Sequence, residues 1–190
     1  MPDQVDSLLA LRTLLAARSA RRGQFTLSSG RISTLYIDAR LTTMSPEGLA
    51  LIGPLGLGTL RHAGWYVDAV GGLTLGADPI AYAISYASAL AGDTLVRAFT
   101  VRKEAKGHGT GQLIEGPFRA GDRVVVVEDV ITTGGSALRA AEAVRAAGGQ
   151  VIGVLALVDR EEGGRETLER AGLEVRSLTR ARDIVAMLPP

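Results

Sequence analysis

A strand, helix, strand pattern in the second half of the chain restricts its fold more than any other feature. Residues 123–127 and 151–158 form two strongly apolar runs, and residues 136–147 between them have a helical pattern that stops at Gly148 and Gly149. Strands this apolar must be covered on both faces, as in parallel sheets with flanking helices. A crossover of this length joins parallel strands with a right-handed turn. The pattern predicts an α/β fold with a mainly parallel sheet.

The same alternation begins earlier in the chain. Residues 65–70 and residues 94–101 predict strands, because they are rich in β-branched, aromatic and other apolar residues. Between them, Asp78-Pro79 is typical of a helix start, and the helix is expected to run to about residue 90. Ligands in such sheets bind outside the carboxyl ends of the strands, so the strand-to-helix loops are the candidate site.

The N-terminal part has a different pattern. Residues 5–17 carry a broad apolar helical face, and residues 24–40 predict a strand, a turn and a second strand. Ser45 is a candidate N-cap for a further helix, with Pro46 at its first position. The length of the chain suits one compact domain. We therefore expect a single domain, 1–190, with hood elements in 1–44, the core sheet in 65–160 and C-terminal elements in 161–190.

Composition excludes several classes of function. The formal charge is +1, so no overall field attracts nucleic acid or an anionic membrane, and neither is expected as a partner. The absence of cysteine excludes disulfides, thiolate metal sites and a cysteine nucleophile. No apolar stretch predicts a membrane span, and no secretory segment is evident. A cytoplasmic location is the expectation.

The loop after the strand at 123–127 combines two acids, a glycine-rich turn and a helix start. Backbone N–H groups of Thr133 to Ser136, at the positive end of the helix, can surround a phosphate. Glu128 and Asp129 are placed to accept hydrogen bonds from ribose hydroxyls or to hold a hydrated cation. The segment 128–136 is therefore interpreted as a binding site for a phosphorylated sugar.

Two well-known phosphate-binding motifs do not fit this loop. It has no lysine, as a Walker phosphate loop would need, and the GxGxxG dinucleotide fingerprint is absent. The residues alone leave open a polar turn with Ser136 as a helix N-cap, a phosphoacceptor site and a magnesium site. The combination of an apolar strand, two acids and the TTGGS turn favours the sugar phosphate.

A second segment is distinguished by containing both lysines of the chain. Nineteen of the 21 basic residues are arginine, and the two lysines, Lys103 and Lys106, share one glycine-rich segment with His108. Two lysines left by chance on a solvated loop would look the same. The alternative is a site that requires ammonium groups.

The thirteen residues 124–136, VVVVEDVITTGGS, resemble the phosphoribosyl diphosphate motif of the type I phosphoribosyltransferase family. The resemblance implies a mainly parallel sheet flanked by helices, with a variable N-terminal helix and β-hairpin hood. It also implies transfer of ribose 5-phosphate from phosphoribosyl diphosphate to a nucleobase. Mg²⁺ is the implied cofactor, held mainly by the diphosphate and not by direct protein ligands.

The segment 101–111, VRKEAKGHGTG, resembles the mobile catalytic loop of the orotate phosphoribosyltransferases. The resemblance implies catalytic roles for Arg102, Lys103, Lys106 and His108, whose charges would stabilise the departing diphosphate. In that family the loop, here 102–116, reaches the neighbouring subunit's site, so a homodimer is implied.

Further site residues follow from the same resemblance. Thr132 and Arg160 match residues that bind orotate, and a guanidinium pairs bidentately with a carboxylate. FTLSSGRIS and YIDAR resemble the hood that covers the base. Some relatives carry lysines where this chain has Ser28 and, in the diphosphate loop 71–81, Gly76. The residues implied in binding the donor are Arg102, Lys103, Lys106, His108, Glu128, Asp129, Val130, Ile131, Thr132, Thr133, Gly134, Gly135 and Ser136.

These observations favour formation of orotidine 5′-phosphate from orotate, a step of UMP biosynthesis. The donor motif by itself does not select the base, so a phosphoribosyltransferase for another purine or pyrimidine is the nearest alternative. A non-catalytic regulator that binds nucleotide or RNA on the same fold is another. The RKEAKGH segment together with Arg160 favours orotate.

Overall fold

The computed structural model describes residues 4–26, 32–92, 94–104 and 113–189. Its elements form an N-terminal hairpin and a six-stranded sheet with helices on both faces. The N-terminal half contains α1 (Gln4–Arg18), β1 (Ala20–Thr26), β2 (Ile32–Ile37), α2 (Arg40–Thr43), α3 (Pro46–His62), β3 (Ala69–Leu73) and α4 (Ala77–Ala91). The second half contains β4 (Arg97–Val101), β5 (Ile114–Glu115), β6 (Arg123–Ile131), α5 (Gly135–Ala146), β7 (Gln150–Asp159), α6 (Gly164–Arg170), β8 (Glu174–Arg180) and α7 (Ala181–Val185).

The six-stranded sheet has the order β5-β4-β3-β6-β7-β8. All neighbouring strands are parallel except β5, which pairs antiparallel with β4 at one edge. The predicted α/β fold with a mainly parallel sheet is confirmed.

The valines of β6 explain why this strand is central. Val124 and Val126 pack on one face with α5, and Val125 and Val127 pack on the other face with residues of α3 and α4. All four are fully buried. Because successive side chains of a strand point to opposite faces, an unbroken run of valine supplies both cores.

The predicted N-terminal elements are present. Ser45 caps α3, since its hydroxyl oxygen accepts a hydrogen bond from the Gly48 amide at 3.1 Å. A Cβ at Gly53 would lie 2.5 Å from the carbonyl oxygen of Ala83, so the glycine allows α3 to pack closely on α4. In the hairpin, β1 begins at Ala20, four residues before the predicted start. The predicted turn, Ser28 to Gly30, lies outside the described residues.

Several element boundaries were predicted incorrectly. β3 begins at Ala69 and not at residue 65, because Trp65 and Val67 pack into the core without pairing in the sheet. β4 begins at Arg97 and not at residue 94. β6 continues past Val127 to Ile131, because residues 128–131 still pair with β7.

The sheet also continues past residue 160, where we had placed the end of its core. β8, Glu174–Arg180, pairs with β7 along the edge of the sheet. Its alternation of charged and apolar residues suits an edge strand, which is covered on fewer sides than β6. Four further elements, α2, β5, α6 and α7, had no predicted counterpart.

The described part of the chain contains no helix with both the length and the apolar character needed to cross a membrane. The carboxyl ends of β3, β6 and β7 lie side by side, and the end of the hood strand β2 contributes to the same region. This region contains a cleft lined by described residues from both the sheet and the hood.

Candidate active site

A cleft of about 760 Å³ opens at the carboxyl ends of the central strands. Its walls come from five places in the sequence: the end of β2 with the start of α2, the loop after β3, Lys103 after β4, the segment from the end of β6 into α5, and the residue after β7. The lining residues are Tyr36, Ile37, Asp38, Ala39, Arg40, Leu73, Thr74, Leu75, Gly76, Lys103, Glu128, Asp129, Val130, Ile131, Thr132, Thr133, Gly134, Gly135, Ser136, Arg139 and Arg160.

The predicted phosphate cradle forms one wall. All nine residues of 128–136 line the cleft, and α5 begins within this segment. Gly134 has a φ of 84°, a conformation that side chains rarely adopt, and it turns the chain from β6 into the helix. The first amides of α5 have no partners within the helix, so they are available to a phosphate at its positive end.

The two acids at the end of β6 differ in environment. Glu128 is largely buried, and its Oε2 atom has no hydrogen-bond partner among the described residues. Burial, reinforced by the neighbouring charge of Asp129, raises the pKa of Glu128 from 4.5 to about 8. The carboxylate of Asp129 accepts a hydrogen bond from the Val130 amide at 2.9 Å. A buried carboxyl oxygen without a partner, such as Glu128 Oε2, is suited to a ligand hydroxyl.

The loop after β3 faces these acids. A Cβ at Gly76 would lie 2.5 Å from the Asp129 carboxylate, so there is no space for a side chain in this arrangement. Gly76 therefore lies in close contact with the Asp129 carboxylate. The peptide bond between Thr74 and Leu75 in the same loop is cis.

A hydrogen-bond network holds this loop. Thr74 of the loop and Thr100 of β4 both donate their hydroxyl protons to Asp78, over 2.7 Å and 2.8 Å. The Tyr82 hydroxyl lies 3.0 Å from the Thr100 hydroxyl. Asp78 thus joins the loop to α4 and β4.

Of the four cationic residues predicted for the site, the structure describes Arg102 and Lys103, and only Lys103 lines the cleft. Lys103 lines the cleft and is exposed. Arg102 is not among the lining residues, and its guanidinium forms an ion pair with Glu115 at 3.4 Å. Lys106 and His108 lie outside the described residues, so their positions remain predictions.

Arg160 lies at the base of the hood. Its Nη2 donates to the Ser33 hydroxyl and to the Leu35 carbonyl, both over 3.0 Å. Its Nε donates to Glu162 over 2.9 Å, and Nη2 lies 2.7 Å from the same carboxylate. The edge of the guanidinium that would usually bind a carboxylate in a bidentate pair is therefore already used within the chain.

The sequence interpretation missed three charged residues of the cleft, Arg139, Arg40 and Asp38. Arg139 stands one turn after Ser136 on α5, and its Nη2 is 3.5 Å from the Ser136 hydroxyl. This spacing of three residues was a readable signal, because it places two side chains on one helix face. Arg40 forms a bidentate pair with Asp38, at 2.8 Å and 2.9 Å, and these hydrogen bonds lower the pKa of Asp38.

The carboxylates of the cleft are the groups that a hydrated metal ion could contact. No group of three or more His, Cys, Asp or Glu side chains that could hold a metal occurs among the described residues. Asp129 and Glu128 nevertheless provide carboxylate oxygens beside the cradle. Mg²⁺ typically keeps several waters and binds one or two carboxylates together with substrate phosphates.

Comparison with known proteins identifies similar chains. Residues 46–179 match the phosphoribosyl transferase domain family. An orotate phosphoribosyltransferase of Rhodopirellula baltica is 47% identical over 182 residues, which are 93% of this chain and 93% of that protein.

Solved structures are similar as well. The orotate phosphoribosyltransferase of Mycobacterium tuberculosis H37Rv in complex with Fe(III) dicitrate superimposes with a TM-score of 0.82 and 46% identity, covering 94% of this chain and 98% of that chain. Its complex with 5-phospho-alpha-D-ribosyl 1-diphosphate gives a TM-score of 0.78 and 42% identity, covering 94% and 99%. The similarity thus includes the hood as well as the sheet.

Proposed function

The chain belongs to the phosphoribosyltransferase family, and from this membership we propose that it transfers ribose 5-phosphate from phosphoribosyl diphosphate to orotate. The products are orotidine 5′-phosphate and diphosphate, and the reaction belongs to UMP biosynthesis. The observation that carries the proposal is the cleft, in which the cradle 128–136 and Arg160 line the same space. The names and the extent of the similar proteins support the choice of orotate.

The cradle binds the donor. Amides of the first turn of α5 hold the 5-phosphate, and Arg139 adds a cation beside them. Glu128 and Asp129 hold the ribose hydroxyls, because their carboxyl groups lie at the end of β6 next to the cradle. The ribose is thus oriented while its C1′ atom moves between diphosphate and base.

The base site is formed by Thr132, Arg160 and the hood. The remaining N–H groups of Arg160 hold the carboxylate of orotate, which is the group that distinguishes orotate from uracil. Orotate attacks C1′ with its N1 nitrogen, through a state with oxocarbenium character, while the bond from C1′ to diphosphate breaks. No covalent bond to the protein is required.

Cations of the segment 102–108 stabilise the departing diphosphate. Lys103, Lys106 and His108 act on a charge that grows in the transition state, so they accelerate the reaction more than they strengthen binding. Arg102 belongs to the same group, and its pair with Glu115 at 3.4 Å must open for it to reach the diphosphate. His108 or a lysine delivers a proton to the leaving group.

Mg²⁺ is the proposed cofactor. When bound, the ion neutralises charge on the diphosphate and so makes it a better leaving group. The diphosphate would supply most of its ligands, and Asp129 would contact its water shell.

We propose a homodimer in which residues 102–116 reach the neighbouring active site. An exposed stripe on α4 supports it: Tyr82, Tyr86 and Leu90 are spaced four residues apart and lie on one helix face. Apolar surface of this kind is typical of protein contacts. We propose that a second copy of the chain packs on this stripe. A contact there would be close to the site, because the Tyr82 hydroxyl is linked through Thr100 to Asp78 and the loop after β3. The absence of cysteine supports a cytoplasmic location.

The test is an assay of the purified protein with orotate, phosphoribosyl diphosphate and Mg²⁺, which follows the loss of orotate absorbance. We expect turnover with orotate and none with hypoxanthine or uracil. Turnover with either of these bases in place of orotate would assign the protein to another branch of the family. Binding of donor without turnover of any base would favour a regulator.

A further inference from the structure

In the turn that follows β7, the side chain of Glu162 contacts Arg160, the arginine proposed for the base site. Glu161, between Arg160 and Glu162, has a φ of 59°, the only positive φ of a residue other than glycine in the described chain. This conformation costs on the order of 1 kcal/mol, so it persists only where neighbouring contacts maintain it. The Glu161 amide donates to Asp159 over 2.9 Å, and the Glu161 carboxylate pairs with Arg182 at 2.6 Å.

The turn directs Glu162 at the guanidinium of Arg160. The Glu162 carboxylate is 2.9 Å from Nε and 2.7 Å from Nη2. The Arg160 side chain is only 5% exposed, so little solvent competes with this pair. Both contacts are to one oxygen, Oε1, so the carboxylate occupies the edge of the guanidinium formed by Nε and Nη2 and limits how the group can move.

The same guanidinium holds the hood. Ser33 and Leu35 belong to β2 and accept from Nη2 of Arg160, 127 and 125 residues away in sequence. These contacts and Glu162 together use Nε and Nη2. Within the described residues Nη1 has no hydrogen-bond partner, so its two N–H groups are what Arg160 can offer to a ligand in the cleft.

We infer that Glu162 is a positioning residue: it holds Arg160 so that Nη1 serves the carboxylate of the base while Nη2 fastens the hood strand β2 over the site. The inference rests on the proposed function for the identity of the base. It differs from the sequence expectation, because the base carboxylate meets one terminal nitrogen and not the bidentate edge. Base recognition and hood placement then depend on the same ion pair.

Kinetics of Glu162→Ala test the positioning role. With Nε and Nη2 released from the carboxylate, we expect the KM for orotate to rise roughly 10- to 100-fold, the range in which misplacement of a binding group acts. The KM for phosphoribosyl diphosphate should stay within about twofold, because the cradle is untouched. Glu162→Gln keeps an acceptor oxygen in the same place and should restore most of the orotate KM. Glu166→Ala, the same change at an exposed position on α6, is the control and should match the wild type.

A double variant separates positioning from an independent contribution. If Glu162 acts through Arg160, Glu162→Ala should add nothing to the loss caused by Arg160→Ala. Additive losses would overturn the inference, as would an orotate KM in Glu162→Ala that is unchanged or lower. A lower value would mean that Glu162 only competes with the base for Arg160.

Hydrogen exchange of β2, Ile32–Ile37, provides a measurement that needs no substrate. Glu162→Ala and Arg160→Ala should both accelerate exchange in β2, at least about threefold, and leave β6 unchanged. Unchanged exchange in β2 would overturn the link to the hood. If the wild type fails to use orotate, the proposed function fails, and this measurement still decides whether Glu162 and Arg160 hold the hood.

Discussion

At the scale of single residues, the cleft places acidic groups between cationic ones. Glu128 and Asp129 lie at the end of β6, while Lys103, Arg139 and Arg160 line the surrounding walls. The proposed donor carries a phosphate, a diphosphate and two ribose hydroxyls, which need cations and hydrogen-bond acceptors respectively. The distribution of charges therefore matches the donor, and the separate role of each charge can be tested.

Lys103→Ala is predicted to reduce turnover on the order of 100- to 1000-fold, the usual cost of losing one group that stabilises a developing charge. The KM for orotate should change less than about threefold, because Lys103 acts on the diphosphate. Steady-state kinetics measure both values. Lys103→Arg should retain part of the activity, and Arg145→Ala, at an exposed position on α5, should retain all of it. A raised substrate requirement with normal turnover would contradict the transition-state role.

Glu128 is predicted to make the stability of the unliganded protein decrease with pH. Its pKa is raised from 4.5 to about 8 by burial. Below pH 4.5 the carboxyl is protonated in both the folded and the unfolded chain, and its contribution to stability is fully present. Between pH 4.5 and 8 the unfolded chain loses the proton and the folded chain keeps it, so the free energy of unfolding falls as pH rises.

Urea unfolding at pH 5 and pH 8 checks this prediction. Glu128→Gln cannot ionise, so its loss of stability between these pH values should be smaller than that of the wild type, by roughly 2–4 kcal/mol. Glu142→Gln, exposed on α5, should behave like the wild type. Equal pH dependence of Glu128→Gln and wild type would show that the carboxyl is already ionised in the fold.

At the scale of elements, the start of α4 organises the loop that faces Asp129. Asp78 accepts from Thr74 in the loop and from Thr100 in β4, so one carboxylate connects three elements. Gly76 then lies directly against the Asp129 carboxylate. A diphosphate in this loop would contact backbone amides, because the loop provides no lysine.

Asp78→Ala is predicted to raise the KM for phosphoribosyl diphosphate about tenfold and to leave the KM for orotate nearly unchanged. It should also lower the free energy of unfolding by about 1–3 kcal/mol, since two hydroxyls lose a charged acceptor. Kinetics and urea unfolding measure these effects. Asp6→Ala is a matched control, because Asp6 occupies the first turn of α1 and is exposed. Equal changes in both KM values would argue against a specific role in the donor loop.

At the scale of the whole molecule, the sheet and the hood enclose the cleft from two sides, while α4 leaves an apolar stripe on the outside. Tyr86 is 68% exposed and Leu90 is 70% exposed. Burying such side chains contributes about 1.5–3 kcal/mol each, so a contact over them is strongly favoured. The proposed dimer would cover this stripe and bring the segment 102–116 to the partner.

The double substitution Tyr86→Glu and Leu90→Glu is predicted to make the protein monomeric, because it would bury four charges across a symmetric interface. Light scattering after size-exclusion chromatography measures the mass, and the monomer should lose most of its turnover. Tyr66→Glu serves as a control, since Tyr66 is 70% exposed outside α4. A double variant that stays dimeric, or a wild type that is monomeric, would refute this interface.

Local patterns were sufficient for much of the fold and of the donor site. The valines of β6, the Ser45 cap and the turn at Gly134 each act through neighbouring residues, so their structure can be predicted from the sequence around them. The cradle 128–136 was predicted for the same reason. Errors in element boundaries, such as the predicted start of β3 at residue 65, arose where apolar residues pack into the core without pairing with a neighbouring strand.

By itself the sequence determined the strand and helix order and the glycine turn into α5, because hydrophobic period, caps and glycine turns are properties of adjacent residues. The donor was implied by the resemblance of residues 124–136 to a known motif, and its binding to 128–136 stays a proposal. Only the tertiary structure decided that Arg160 is tied to Ser33 and Glu162, that Asp129 fills the space beside Gly76, and that β8 extends the sheet. Apart from the Arg160–Glu162 pair, which forms within one turn, these contacts join residues far apart in the chain. They depend on how whole elements pack, and no local pattern contains that information.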